Sequence, residues 1–241
     1  MTTEIRTGRT VRARQVGQAA ALFVAPWFFV AANAADAWTT RRGGSDQTAK
    51  GAIELAVAHP TLDKWASLAA MAGCLLLIPA SLGAMSLAHE RAARLSLIGG
   101  MLVVTGYVCY FGLVFQGLAT IALAQHGGAT PDNVAVQQLI TNQAFFVGPA
   151  LAFVLGNIVG TFLLGLSLVR ARAIPRWAGL AIMAWPILHI LGGSWGEVVG
   201  AAAEAVGLAA VGVRLLEAPP PDRVDDAMDI TNPEAAPATA S

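Results

Sequence analysis

Long apolar stretches separated by short polar clusters organise this chain from end to end. The run from Leu95 to Gln125 contains no charged side chain, and five further strongly apolar segments flank it. An α-helix rises 1.5 Å per residue and the hydrocarbon core of a bilayer is about 30 Å thick, so about twenty such residues suffice to cross it. The hydropathy pattern with its flanking charges predicts six membrane-spanning helices: Gly17 to Trp38, Lys64 to His89, Leu95 to Gln125, Ala144 to Leu168, Trp177 to Gly192 and Trp195 to Leu216. The expected fold is therefore all-α, a polytopic membrane protein built as a six-helix transmembrane bundle.

The rest of the chain falls into three parts. Residues 1–16 form a basic N-terminus ahead of the transmembrane domain 17–216. An outer segment, 39–63, carries Gly43-Gly44 and then Thr48 to Ala58, whose pattern predicts a short helix lying on the membrane surface with Lys50 and Glu54 on its polar face. The tail 217–241 is rich in proline, alanine and aspartate, lacks aromatic residues, and is expected to be disordered and solvated by Asp222, Asp225, Asp226 and Asp229.

Composition agrees with this pattern. Charged residues make up 12% of the chain and hydrophobic ones 56%, with a mean hydropathy of +0.60. A soluble domain carries about twice that charged fraction, so a water-soluble globule is excluded. The net charge of zero conceals a segregation that sets orientation. Arg6, Arg9, Arg12, Arg14, Arg91, Arg94, Arg170, Arg172, Arg176, Arg214 and Arg223 fall on one side of the predicted bundle, and Arg41, Arg42, Lys50 and Lys64 on the other. Cationic loops stay in the cytoplasm, so the chain is expected in a cell membrane with both termini cytoplasmic. Trp38, Trp65 and Trp195 then belong to the outer interface and Trp177 to the inner one. A rival reading of the first span is a signal peptide cleaved near Ala32-Asn33-Ala34; its length and the bulk of Trp27, Phe28 and Phe29 favour an uncleaved helix.

Chemistry has to come from polar residues inside these spans, because an ionisable group at mid-bilayer costs a few kcal/mol and usually faces a protein interior or a water-filled cavity. Glu197 and Glu204 lie seven residues apart on the sixth span and share one face with Gly200 and Gly207, small residues that let another helix approach. Glu197 sits near the outer interface, where it is either a solvated helix-start carboxylate or a reactive one. Glu204 is about ten residues from either end; a carboxylic acid there serves as a proton donor or as a structural hydrogen-bonding group. The turn Gly192-Gly193-Ser194 brings His189 and Glu197 to similar depth, so the two can meet across the hairpin as an acid–base pair.

Asn33 and Asp36 on the first span, Gln116 on the third and Asn157 on the fourth are candidate substrate-binding groups, and Pro79, Pro149 and Pro186 can open space between helices. These features suggest a polar cavity open to the outer leaflet. Tyr107, Tyr110, Phe111 and Phe115 recur at helical spacing, read as packing in preference to a stacking wall for a flat ligand. The histidines and Cys74 and Cys109 form no metal-ligand pattern, no cofactor motif is present, and no feature points to nucleic acid.

The stretch from Val169 to Gly179, with Ile174-Pro175-Arg176 before the next helix, resembles a group of uncharacterised bacterial multi-pass proteins of about this size, a membrane family of unknown function. The resemblance covers roughly residues 12–216 and implies the architecture alone. Three functions stay open. One is an enzyme performing acid–base chemistry, cyclisation or isomerisation, on a lipophilic small molecule, by analogy with small membrane-embedded terpene cyclases. Glu204, Glu197 and His189 would then be catalytic. The second is a proton-coupled transporter, six helices being few unless it forms a homodimer. The third is a non-catalytic membrane subunit packed through Gly156 and Gly160.

Overall fold

The computed structural model describes residues 2–41 and 44–218; the predicted disordered tail lies almost wholly outside them. Helices account for nearly all of the described chain: α1 (Thr2–Thr40), α2 (Ala49–Ala58), α3 (Pro60–Gln125), α4 (Pro131–Thr141), α5 (Ala144–Leu155), a π-helical turn (Gly156–Gly160), α6 (Thr161–Arg170), α7 (Arg176–Leu191) and α8 (Gly193–Glu217). Among the described residues, four stretches are long and apolar enough to cross a membrane: Thr10–Thr40, Pro60–Gln125, Phe146–Arg170 and Gly193–Glu217; α7 is apolar but shorter.

The two spans predicted between Lys64 and Gln125 are joined in α3, which has one residue outside helical geometry, Ala92, at φ −140° and ψ 37°. That residue reverses the chain. Ser96 donates its hydroxyl hydrogen to the Met85 carbonyl at 3.2 Å, although eleven residues of straight helix would hold them about 16 Å apart. Gly100 likewise lies against the Met85 side chain, and Phe29 touches both Gly73 and Tyr107. Thus α3 is a helical hairpin, with a first arm, 60–91, and a second arm, 93–125.

Around this hairpin, α1 packs on α3 and α8, α7 on α8, and the α5–π–α6 rod on α3. Buried alanines of α1 and the first arm, including Ala21, Ala25, Ala80 and Ala84, meet Leu22, Leu77, Val211 and Leu215 in one core. Backbones come close between the second arm and the rod, where a Cβ on Gly106 would stand 2.9 Å from the Gly156 Cα and one on Gly160 would stand 2.8 Å from the Val103 nitrogen. Gly156 and Gly160 are therefore occupied inside the chain, and not free for the partner subunit that their spacing suggested. Large apolar side chains such as Leu97, Met101, Phe115, Leu151, Leu180 and Val206 face outward around the bundle, as do Trp38, Trp65, Trp177 and Trp195. Such a coat suits lipid and not water.

The two ends of the bundle differ. At one, the start of α1 meets the end of α8 through Gln15, which donates to the Leu215 and Ala218 carbonyls, and Arg12, which donates to Leu216. The Ala92 hinge and the 171–175 turn share that end. At the other lie α2, α4 and the tight α7–α8 turn, where Gly193 takes φ 58°, a conformation that suits glycine. The short helix predicted from Thr48 forms as α2, with the Thr48 side chain capping Gly51 N–H and Lys50 paired with Glu54 at 3.6 Å. The stretch from His126 to Gln143, which lies between the third and fourth predicted spans and carries no predicted helix, contains α4. Thr130 caps it, Pro131 starts it, and Gln137 donates to the Thr120 hydroxyl at 2.9 Å inside the protein.

Candidate functional site

A cavity of about 600 Å³ opens at the end of the bundle that carries α2. Its walls follow helical periodicity. From α1 come Phe29, Asn33 and Asp36, at i, i+4 and i+7, and from the first arm Asp63, Ser67 and Ala70 in the same register. The second arm contributes Tyr107, Tyr110, Val114 and Gly117, and α7 and α8 contribute Trp185, His189 and Glu197. The lining stripe of α1 runs from Phe29 to Thr39, ten residues or about 15 Å of depth. Ala52, Leu55 and Ala56 of α2 roof the opening, with Ile53 and Ala56 buried beneath that helix.

The floor is aromatic. Phe29 and Tyr107 have ring centroids 5.1 Å apart, Tyr110 stacks on Phe153 at 4.2 Å with planes 14° apart, and Tyr107 meets Phe153 edge-on at 5.9 Å. Two of the four aromatic residues read as packing, Tyr107 and Tyr110, therefore face the cavity; Phe115 points outward. The rim is acidic, with Asp36, Asp46, Asp63 and Glu197, and Asp36 makes no side-chain hydrogen bond among the described residues.

His189 and Glu197 do approach across the α7–α8 hairpin. Nδ1 and Oε1 stand 3.6 Å apart, within ion-pair range but beyond hydrogen-bond length, and both side chains are about two-thirds buried or more. The imidazole lies against Trp185, with centroids 5.0 Å apart, and its Nδ1 is buried without a hydrogen-bond partner, as is the amide nitrogen of Asn33.

Asn157 does not line the cavity. It is 1% exposed in the π-helical turn, where its Oδ1 accepts from the Tyr107 hydroxyl at 3.2 Å and the Trp185 indole N–H at 2.9 Å. The amide thus fixes two floor residues from behind. A π-turn inserts an extra residue per turn and re-aims side chains, which is why such turns recur at functional sites. Gln116, proposed as a ligand, is half-buried and outside the lining.

Glu204 occupies a different place. It is 6% exposed and borders a second void of about 10 Å³, the scale of one water molecule, together with the hydroxyl-bearing Ser81 and Thr161 and apolar neighbours such as Leu77 and Ile182. Val103 and Ile182 of that void precede Tyr107 and Trp185 by about one turn, so the Tyr107–Asn157–Trp185 layer separates Glu204 from the cavity. Glu204 makes no hydrogen bond or ion pair among the described residues. Its expected role as donor to a cavity-bound molecule meets this layer as an obstacle. Gly200 and Gly207, on the same face, pack against Trp185 and Ile182 of α7, as their spacing indicated.

Among the described residues no group of three His, Cys, Asp or Glu side chains could hold a metal ion. Sequence reasoning found Asn33, Asp36, His189 and Glu197, weighed Tyr107 as a stacking wall but preferred packing, and missed Asp63, Ser67 and Trp185; of these three, only Asp63 carried a visible signal, a carboxylate at the edge of a span. No protein-family model, curated protein or solved structure matches this chain.

Proposed function

We propose that the chain is an integral membrane protein of six spans, with both ends in the cytoplasm, that performs acid–base chemistry on a lipophilic small molecule held in the outward-facing cavity. One observation carries this reading: an imidazole and a carboxyl group 3.6 Å apart face a 600 Å³ cavity floored by aromatic rings. His189 and Glu197 relay the proton, Asp36 and Asn33 orient the substrate, and the rings hold its apolar body. Six spans follow if each arm of α3 crosses once and α7, about 24 Å long, crosses with little tilt. The orientation rests on Arg12, Arg14, Arg91, Arg94, Arg170, Arg172, Arg176 and Arg214 at the hinge end against Arg41, Lys50 and Lys64 at the other. The bacterial group resembled at Ile174-Pro175-Arg176 would share this architecture.

A second reading, a proton-coupled transporter, is favoured by Glu204, a buried acid behind a hydrogen-bonded layer. Comparative lipid and metabolite profiling of cells lacking the protein, with separate analysis of cells and medium, separates the two. An enzyme changes the structure of a compound, whereas a transporter changes the side on which an unaltered compound accumulates. If no small molecule changes in either respect, both readings fall.

A further inference from the structure

We infer that the cavity selects an organic cation, an apolar molecule bearing an ammonium group, over neutral or anionic molecules of the same size. The inference rests on the cavity being a small-molecule site and names the class of molecule. Its observations are the charge and chemistry of the wall. Four carboxyl-bearing residues, Asp36, Asp46, Asp63 and Glu197, border the space, and no lysine or arginine does among the described residues.

Among the described residues, the nearby lysines and arginines are engaged or turned away. Lys50 pairs with Glu54, Arg41 lies over the Trp38 ring at 3.2 Å, and Lys64 is exposed. The rim therefore attracts positive charge: the one basic side chain in the lining among the described residues is the His189 imidazole beside Glu197, against four carboxyl groups. Below the rim, Tyr107, Tyr110, Phe29 and Phe153 offer ring faces and edges, and aromatic faces attract cations more strongly once water is excluded. An anion gains from neither layer, and a neutral molecule gains only from the lower one. Asn33 adds a direction: its buried, unpartnered amide N–H₂ donates to an oxygen or other acceptor on the same ligand.

The test uses the full chain in nanodiscs and three probes of similar shape: tetraphenylphosphonium, neutral triphenylmethanol and tetraphenylborate, each corrected for partition into empty discs. The expected result is binding of the cation about tenfold tighter than the neutral probe, no saturable binding of the anion, and a cation-to-neutral preference lost in Asp36→Asn and in Glu197→Gln. Equal affinity for cation and neutral probe overturns the inference and leaves the cavity as a small-molecule site. Failure of all three probes to saturate overturns both. An ammonium group could also belong to a lipid, so the titration is run in phosphatidylglycerol and in phosphatidylethanolamine discs. Weaker phosphonium binding in the second upholds the inference with a headgroup as the ligand; equal binding upholds it with a free molecule.

Discussion

Trp185 donates its indole N–H to Asn157 Oδ1 across 2.9 Å, and that bond lies between the cavity and the buried Glu204. The acceptor is shared with the Tyr107 hydroxyl, so one amide in a π-helical turn joins α7 to the second arm of α3. Both donor residues are nearly buried, Tyr107 at 3% exposure and Trp185 at 5%.

Asn157→Leu should therefore cost more than Tyr107→Phe. The first orphans two buried donors, while the second removes one donor and leaves the Trp185 bond intact. Hydrogen bonds between membrane helices contribute about 0.6 kcal/mol on average and up to about 1.7, so losses of about 2 kcal/mol and under 1 kcal/mol are expected. Reversible unfolding in mixed micelles measures both; equal losses would remove Asn157 from its bridging position.

Glycine substitutions should sort by backbone proximity. Gly156→Val places side-chain atoms against Gly106 and Leu102 and should destabilise by about 1–3 kcal/mol. Gly112→Ala meets nothing within 4 Å and should stay within about 0.5 kcal/mol of the parent. Thermal denaturation in detergent checks the pair, and a harmless Gly156→Val contradicts the close crossing.

His189→Asn, Glu197→Gln and the double variant should reduce activity to one common level, because groups acting on one proton are not additive. Glu204→Gln separates the readings of function: it spares an enzyme whose chemistry is confined to the cavity and abolishes proton-coupled transport. Turnover or uptake of the compound found by profiling supplies the readout. Multiplying losses in the double variant would mean that His189 and Glu197 act separately.

Topology is open to direct labelling. In a variant with Cys74 and Cys109 replaced by alanine, a cysteine at Ser45 should react with a membrane-impermeant maleimide in intact cells, and one at Arg172 only after permeabilisation. Labelling at Arg172 in intact cells would reverse the orientation.

Much of the architecture was legible because hydrocarbon imposes length and composition. The break near Ala92 was foreshadowed by Glu90, Arg91 and Arg94 between two apolar runs, and α2 by its threonine cap and its Lys50–Glu54 spacing. The α4 helix was overlooked even though Thr130-Pro131-Asp132 is a helix-start signal, because a polar segment between spans was read as connection. Which faces converge is another kind of information. Periodicity put Asn33 and Asp36 on one stripe and His189 near Glu197, but the spacing of Tyr107 and Tyr110 favours packing over a stacking wall, and only α1 and α7 opposite them set both residues at the cavity. Asn157 and Gln116 looked alike as lone polar residues in apolar helices, and only the neighbouring donors distinguish them.

The glycine crossing at Gly106 and Gly156 has a mechanical counterpart. Backbone in contact with backbone leaves no side chains to shear, so the second arm and the α5–π–α6 rod behave as a stiff frame beneath the cavity. The roof is a ten-residue helix seated on two buried side chains, Ile53 and Ala56, with the chain leaving it through the non-helical His59. Few buried anchors mean a low local cost of opening, so under the proposed function a molecule larger than the opening is expected to enter by lifting α2 while the floor keeps its geometry.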